Sequence, residues 1–169
     1  MNPTYAVYTH IDRPIDQVFN AVVDRTVFEK FIFQSSSGDL VEGETVTWDN
    51  GEWAVEVHVD EVITNEKIEI SFKPSDFAIP MLRQGDKRDY EAKIVFLFET
   101  ADVGGTLVTL CEYGWGSDWR SVLQSYGQCG GWQEMLMCLK GLLVYGVDLR
   151  SPPTARPNYA KLWSNNNQG

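Results

Sequence analysis

Three neighbouring segments of the chain alternate between apolar and polar residues, and this pattern constrains the fold more than any other feature. In "ETVTWDN", "WAVEVHVD" and "KIEISFK" every second residue is apolar, and polar residues fill most of the other positions. A two-residue period places the apolar side chains on one face of an extended strand, as in antiparallel sheets with one covered and one solvated face. The chain must therefore supply a second layer that covers the apolar face.

Three other segments are rich in β-forming residues and predict further strands of the same sheet. They are "YAVYTHI" at 5–11, "AKIVFLFET" at 92–100 and "GTLVTLCEYGW" at 105–115. The "DVGG" stretch between the last two is typical of a hairpin turn. Two short helices are predicted after the first strand, one opened by Asp12 and Pro14 and one over 26–32.

Only one segment is both long and apolar enough to cover the sheet. A helix is predicted from about Asp118 to Val147, with Asp118 as its cap and with a kink or break where Gly127, Gly130 and Gly131 interrupt it. Its apolar side chains repeat at helical spacing and form one stripe: Trp132, Met135, Leu136, Leu139, Leu142 and Leu143. The element order is an α+β pattern, so we expect this helix to lie across the concave face of a curved antiparallel sheet.

Three separated segments, "IDRPIDQVFNAVVD", "GTLVTLCEYGW" and "GWQEMLMCLKGLL", resemble in this order the SRPBCC superfamily of START-like proteins. The branch that is most similar contains the C-terminal domain of activators of heat-shock chaperone ATPase. The resemblance implies a helix-grip fold, in which a curved antiparallel sheet wraps around a long C-terminal helix and two short helices follow the first strand. We expect one domain over 1–150 and a Pro- and Asn-rich tail over 151–169. Because the superfamily includes lipid carriers, cyclases, hydrolases and co-chaperones, the resemblance implies a fold more than a function.

Charge and composition exclude several classes of function. The formal net charge of −10 disfavours nucleic acid and anionic membrane surfaces, because both require clustered Lys and Arg. Neither of the two histidines has other metal-ligating residues at a suitable spacing, so neither a metal nor another cofactor is expected. Three cysteines without close pairing, no signal peptide and no membrane-inserting segment together predict a cytoplasmic protein with reduced thiols.

A cavity between sheet and helix is what a helix-grip fold implies, and we predict that it binds a small apolar or aromatic ligand. Alternation and helical spacing place eight residues on its walls: Trp48, Phe72, Phe96, Phe98, Leu110, Glu112, Trp132 and Met135. The same side chains can instead meet and fill the space as an ordinary core. Both interpretations predict that the helix stripe packs on the sheet face that carries Phe72, Phe96 and Leu110.

Glu112 breaks the apolar pattern, because it shares a strand face with Val108 and Leu110. A buried carboxylate needs a partner or a raised pKa. It can be a polar anchor for a ligand with a donor or cationic group, or a general acid or base. It can equally form an ion pair with Arg83 or Arg88, or lie at a strand end that reaches water.

Two other functions stay open. One is a protein-interaction module similar to the co-chaperone domain, and the other is a cyclase- or hydrolase-type enzyme that uses Glu112 with water. No catalytic residue is assigned, because His10 and His58 are both predicted to point outward and no second group converges on Glu112. The segment 74–90 has no periodicity and is predicted to be a long, less ordered loop at the cavity mouth.

Overall fold

A computed structural model of the chain describes residues 4–51, 54–73 and 91–150. Within them, seven antiparallel strands form one sheet with the order β1-β7-β6-β5-β4-β3-β2. The elements, in chain order, are β1 (Tyr5–Ile11), α1 (Ile15–Val23), α2 (Arg25–Phe28), β2 (Ser35–Ser36), β3 (Thr45–Asp49), β4 (Ala54–Ile63), β5 (Lys67–Phe72), β6 (Ala92–Thr100), β7 (Thr106–Tyr113), α3 (Trp119–Lys140) and a π-helical turn at Gly141–Tyr145.

The alternating pattern decides which face of the sheet is covered. Val57 and Val59 are buried, whereas His58 between them is exposed. On the covered side, the ring of Trp132 in α3 lies 6.2 Å from that of Phe96 and 6.4 Å from that of Trp48. The predicted α+β helix-grip fold, with a curved sheet around a long C-terminal helix, is therefore confirmed.

The region between α1 and β3 differs from the prediction. The second helix ends at Phe28 instead of residue 32, and two residues beyond Gln34 form a short strand, β2, that pairs with β3. Asp24 caps α2 by accepting a hydrogen bond of 2.8 Å from the backbone N–H of Thr26. A strand of two residues shows no period in the sequence, and its pairing depends on a partner more than ten residues away. It therefore could not be predicted from local pattern.

The long helix is continuous where a break was predicted. α3 passes through Gly127, Gly130 and Gly131 without interruption. A helical glycine costs about 1 kcal/mol relative to alanine, but it keeps its backbone N–H and does not by itself end a helix. The helical pattern changes instead at Gly141, where an added Cβ would lie 2.5 Å from the side chain of Leu149. The chain that follows the helix passes close to position 141, and this close approach favours glycine there.

The predicted cap of α3 is confirmed, because the backbone N–H of Ser121 donates to Asp118 Oδ1 at 3.1 Å. The predictions for the loop at 74–90 and the tail at 151–169 lie outside the described residues, and the domain boundary remains a prediction.

Candidate functional site

Strand β7 carries Glu112 into the interior of the molecule. Val108, Leu110 and Glu112 lie on one face of the strand and are all 0% exposed. Glu112 lies opposite Tyr5 of β1 and Ile94 of β6. The prediction that this carboxyl faces inward is confirmed, and the alternative that it reaches water at a strand end is wrong. β7 continues past Glu112 to Tyr113, and α3 covers the inner face.

The Glu112 carboxyl has no hydrogen-bond partner within the described part of the chain. Burial raises the pKa of Glu112 to about 8, against a smaller lowering effect of the indole N–H groups of Trp115 and Trp132. Those two indoles are close to the carboxyl, but neither makes a hydrogen bond of normal geometry with it. At neutral pH the side chain is therefore mostly a neutral acid, which can donate as well as accept a hydrogen bond. The predicted partners Arg83 and Arg88 lie outside the described residues.

Four other side-chain polar atoms of the described residues are also buried and lack partners. They are the indole nitrogens of Trp48, Trp115 and Trp132 and the hydroxyl of Tyr5. Native proteins pair the large majority of buried polar groups, and each unpaired one costs about 1–3 kcal/mol. We refer to these four groups and Glu112 as the unpartnered cluster. Tyr5 lies opposite Glu112 in the sheet, the indoles of Trp115 and Trp132 are close to its carboxyl, and Trp48 is in ring contact with Trp132.

Aromatic rings form the walls around the unpartnered cluster. The Trp115 ring lies 6.4 Å from that of Phe72, which joins the end of β5 to the segment after β7. Trp48 stacks on Phe33 at 5.0 Å and also contacts Phe28 at 5.2 Å. The sequence analysis missed these two phenylalanines, although the aromatic spacing in "FEKFIF" at 28–33 was a signal for them. Both phenylalanines are buried and pack against the Trp48 ring.

The eight predicted site residues do not all come together. The ring of Trp132 contacts those of both Trp48 and Phe96, and Leu110 pairs with Phe96 across the strands. Met135 is also buried, one turn further along α3. Phe98 packs edge-to-face on Phe19 of α1, with ring centroids 5.3 Å apart. It lies four residues along β6 from Ile94, or about 13 Å from the strand neighbour of Glu112, so it belongs to another part of the core.

The inward face of α3 begins with polar residues that the sequence analysis did not select. Ser121, Gln124 and Ser125 are all 2% exposed or less. Their spacing continues the stripe that is apolar from Trp132 onward, because 3.6 residues make one turn. The hydroxyl of Ser125 donates to the Val122 carbonyl at 2.7 Å. The prediction followed only apolar residues, whereas the polar spacing in "SVLQS" marks the same face.

Neither histidine lies at this site. His10 Nε2 lies 2.7 Å from the Gly104 carbonyl at the β6–β7 hairpin, and His58 Nδ1 lies 3.1 Å from Thr45 Oγ1 on the outer face of the sheet. Cys129 is near enough that the charge of Glu112 adds to burial in raising the pKa of its thiol. All three cysteines are free. In the described ranges, no group of three or more His, Cys, Asp or Glu side chains could hold a metal ion.

The family model described as Activator of Hsp90 ATPase homolog 1-like protein matches residues 12–144. The chain belongs to this family. It is thereby a member of the SRPBCC superfamily, and the predicted resemblance is confirmed. No curated protein matches the sequence. Within the described residues, no helix has the length and apolar character that crossing a membrane requires.

Solved structures share the fold of this family member. SSP2350 from Staphylococcus saprophyticus is 29% identical, with a TM-score of 0.66 over 87% of this chain and 96% of its own. The Aha1 dimer from Colwellia psychrerythraea is 19% identical, with a TM-score of 0.64 over 83% and 96% of the two chains. DynU16, from the dynemicin biosynthetic locus, is 18% identical, with a TM-score of 0.69 over 86% of this chain and 49% of its own. The last two are similar in fold alone.

Proposed function

We propose that this protein binds a small, largely apolar ligand between the sheet and α3, with Glu112 as the polar anchor. The observation that carries the proposal is a fully buried carboxyl without a partner among the described residues, close to the indole N–H groups of Trp115 and Trp132 in the same condition. Unpaired buried groups destabilise a fold, so a cluster of them is expected where a ligand completes the hydrogen bonds. Membership of a superfamily with ligand-binding folds supports the same proposal.

The aromatic walls favour a flat ligand. Trp48 is held by stacking on Phe33, and the rings of Phe96 and Trp132 meet edge to face at 6.2 Å. Rings fixed in this way present rigid apolar surfaces, which lose little conformational entropy on binding. Binding in the micromolar range, on the order of −8 kcal/mol, is expected for a generic ligand of this shape.

A pair of methionines in α3 offers a direct test. Met135 is 3% exposed on the inward face, whereas Met137 is 47% exposed on the outward face of the same helix. Fluorene, a flat tricyclic hydrocarbon, should quench the tryptophan fluorescence of the wild-type protein and raise its melting temperature. Met135→Trp should weaken binding at least tenfold by filling the space, and Met137→Trp should not change it.

Circular dichroism of each variant separates lost binding from lost folding. The proposal fails if fluorene and related flat probes neither quench fluorescence nor shift the melting temperature of the wild-type protein. It also fails if a folded Met135→Trp variant binds as tightly as the wild type, because the ligand would then lie elsewhere.

A second candidate function is a protein interaction through the outward face of α3. Trp119, Tyr126 and Met137 are 66%, 69% and 47% exposed. Their spacings of seven and eleven residues correspond to two and three helical turns, so they share one face. The family description suggests a chaperone of the Hsp90 type as the partner. Calorimetric titration of such a chaperone would test this function, and Tyr126→Lys should abolish any binding that uses this face.

An enzymatic function of the cyclase or hydrolase type has less support. It would require a second acid, base or nucleophile near Glu112, and both histidines form their contacts elsewhere. The Cys129 thiol is close enough for the charge of Glu112 to act on it, and its raised pKa keeps it protonated and weakly nucleophilic.

A further inference from the structure

The unpartnered cluster holds five donor hydrogens when Glu112 is protonated, against three acceptor oxygen atoms, the two of the Glu112 carboxyl and that of Tyr5. The indole nitrogens of Trp48, Trp115 and Trp132 can only donate, and the Tyr5 hydroxyl can donate one hydrogen bond as well as accept. The neutral acid form of Glu112 adds a fifth donor. Each of these groups lacks a partner in the part of the chain that the structure describes. The shortage at this site is therefore of acceptor atoms.

The donors approach Glu112 from different elements. Tyr5 belongs to β1, Trp115 to the segment that joins β7 to α3, and Trp132 to α3. Trp132 is also in ring contact with Trp48 of β3, which brings the fourth donor to the same region. The indoles of Trp115 and Trp132 both lie close to the carboxyl, so a ligand atom beside Glu112 can receive hydrogen bonds from more than one element. Convergent donors of this kind fix the orientation of a ligand and not merely its presence.

A cationic ligand is disfavoured at the same place. No positive charge of a described residue contributes to the pKa of Glu112, and an ion pair would require the carboxyl to lose its proton first. With a pKa of about 8, only about one tenth of the molecules carry the ionised form at pH 7, which weakens a cation's apparent affinity about tenfold. The three indole N–H groups would in addition remain unpaired, because a cation offers them no acceptor.

We infer that the ligand of this site is a flat, uncharged molecule that directs one or more acceptor oxygens, such as carbonyl oxygens, toward Glu112, Trp115 and Trp132. This inference rests on the proposed ligand-binding function and narrows it to a chemical class. It replaces the expectation, drawn from the sequence, of a ligand with a donor or cationic group. The apolar body of the ligand lies against Phe96 and Met135.

Three probes with one carbon skeleton test the inference. Fluorene has no polar atom, 9-fluorenone replaces its CH₂ group by a carbonyl, and 9-aminofluorene places an ammonium group at the same carbon at pH 7. Calorimetric titration of the wild-type protein should rank 9-fluorenone first, about five- to tenfold tighter than fluorene, since one neutral hydrogen bond has about this value. 9-Aminofluorene should bind at least tenfold more weakly than 9-fluorenone.

Variants identify which groups donate. Glu112→Leu should remove most of the preference for 9-fluorenone over fluorene while fluorene still binds. Glu112→Gln should retain it, because the amide N–H also donates. Trp132→Phe keeps a ring in the wall and should reduce the preference. Glu99→Gln, which removes an exposed carboxylate on β6, should leave all three affinities unchanged.

The outcomes separate the two claims. Equal affinities for fluorene and 9-fluorenone, or tighter binding of 9-aminofluorene, would overturn the ligand class and leave the binding function standing. A preference for 9-fluorenone that survives in a folded Glu112→Leu variant and in Trp132→Phe would also overturn it. Absence of binding by all three probes would overturn both the class and the function on which it rests.

Discussion

Charged side chains on the outer face of the sheet are paired with one another, whereas the inner face holds the Glu112 carboxyl, which has no partner among the described residues. Lys67 Nζ lies 2.7 Å from Glu61 and 2.5 Å from Glu69, and Lys93 Nζ lies 2.9 Å from Glu69. Hydrogen bonds from Lys67 and then Lys93 lower the pKa of Glu69. Burial raises the pKa of Glu112 to about 8.

The contrast shows that environment, and not residue type, sets the behaviour of these two glutamates. They lie on neighbouring parts of one sheet, since β5 and β7 both pair with β6. Lys67 and Lys93 stabilise the charged form of Glu69 through contacts that remain near water. Such exposed contacts contribute little to the free energy of folding, but Glu69 needs no further partner. Glu112 lowers the stability of the folded protein whenever it ionises, and a ligand that accepts a hydrogen bond from the protonated carboxyl favours the neutral form.

The pH dependence of stability should differ most between the two faces. The folded-state pKa of Glu112, about 8, lies above its ordinary value of 4.5, so the folded protein retains a proton that the unfolded chain releases. This contribution to stability is complete below pH 4.5 and is lost as the pH rises through 8. From pH 5 to pH 9, Glu112→Gln should therefore lose less stability than the wild type, by on the order of 4 kcal/mol.

Urea unfolding at several pH values measures this difference. Glu99→Gln removes one exposed carboxylate from β6 and controls for the change in net charge. The unfolding free energy of Glu99→Gln should depend on pH in the same way as that of the wild type. If the wild type and Glu112→Gln lose stability in parallel over this range, the inner carboxyl does not hold its proton in the folded state. The contrast between Glu112 and Glu69 would then be wrong.

Local periodicity was enough to predict the two faces that this comparison uses. Alternation separates Val57 from His58 and turns Glu112 inward, because the side-chain direction of a strand depends only on neighbouring residues. The stacking of Phe33 on Trp48 could not be predicted in this way, since it follows from the pairing of β2 with β3. Such contacts depend on residues that are distant in the chain and on how the intervening turns close.

The sequence predicted several residues of the site, but it did not predict which of their polar groups lack hydrogen-bond partners. Trp48, Phe96 and Trp132 were selected from spacing and do come together. That Glu112 lacks a partner among the described residues is a property of three-dimensional packing, because the sequence contains many arginines and lysines that could in principle reach it. The donors Tyr5 and Trp115 were missed for a related reason. Their apolar rings hide their polar atoms when residues are classed only as apolar or polar.

The outer network should respond to acid in the opposite direction and with a smaller effect. The pKa of Glu69 is lowered in the folded state, so its contribution is present above the ordinary carboxyl pKa and is lost as the pH falls through the folded value. Because these side chains are partly exposed, Glu69→Gln should cost only about 0.5–1 kcal/mol at pH 7. Urea unfolding should show this cost shrinking at pH 3 and in 1 M salt. A cost that is independent of both would show that Glu69 acts through packing and not through its charge.

The smallest effect is expected where a buried hydroxyl has no partner to lose. Thr106 is 0% exposed and its hydroxyl donates to the Arg13 carbonyl at 2.9 Å, whereas the Tyr5 hydroxyl is buried without a partner among the described residues. Thr106→Val should cost about 1–1.5 kcal/mol, because it leaves a carbonyl unpaired, and Tyr5→Phe should change the unfolding free energy by less than about 0.5 kcal/mol.

For ligand affinity, the two hydroxyl variants should rank in the opposite order to their effects on stability, with Tyr5→Phe having the larger effect. Tyr5→Phe removes one donor from the unpartnered cluster and should weaken 9-fluorenone binding several-fold, while fluorene binding stays the same. Thr106→Val lies at the opposite end of β7 from Glu112 and should leave both affinities unchanged. If Tyr5→Phe instead costs as much stability as Thr106→Val, the Tyr5 hydroxyl is already paired in the folded protein, and it is then not available to a ligand.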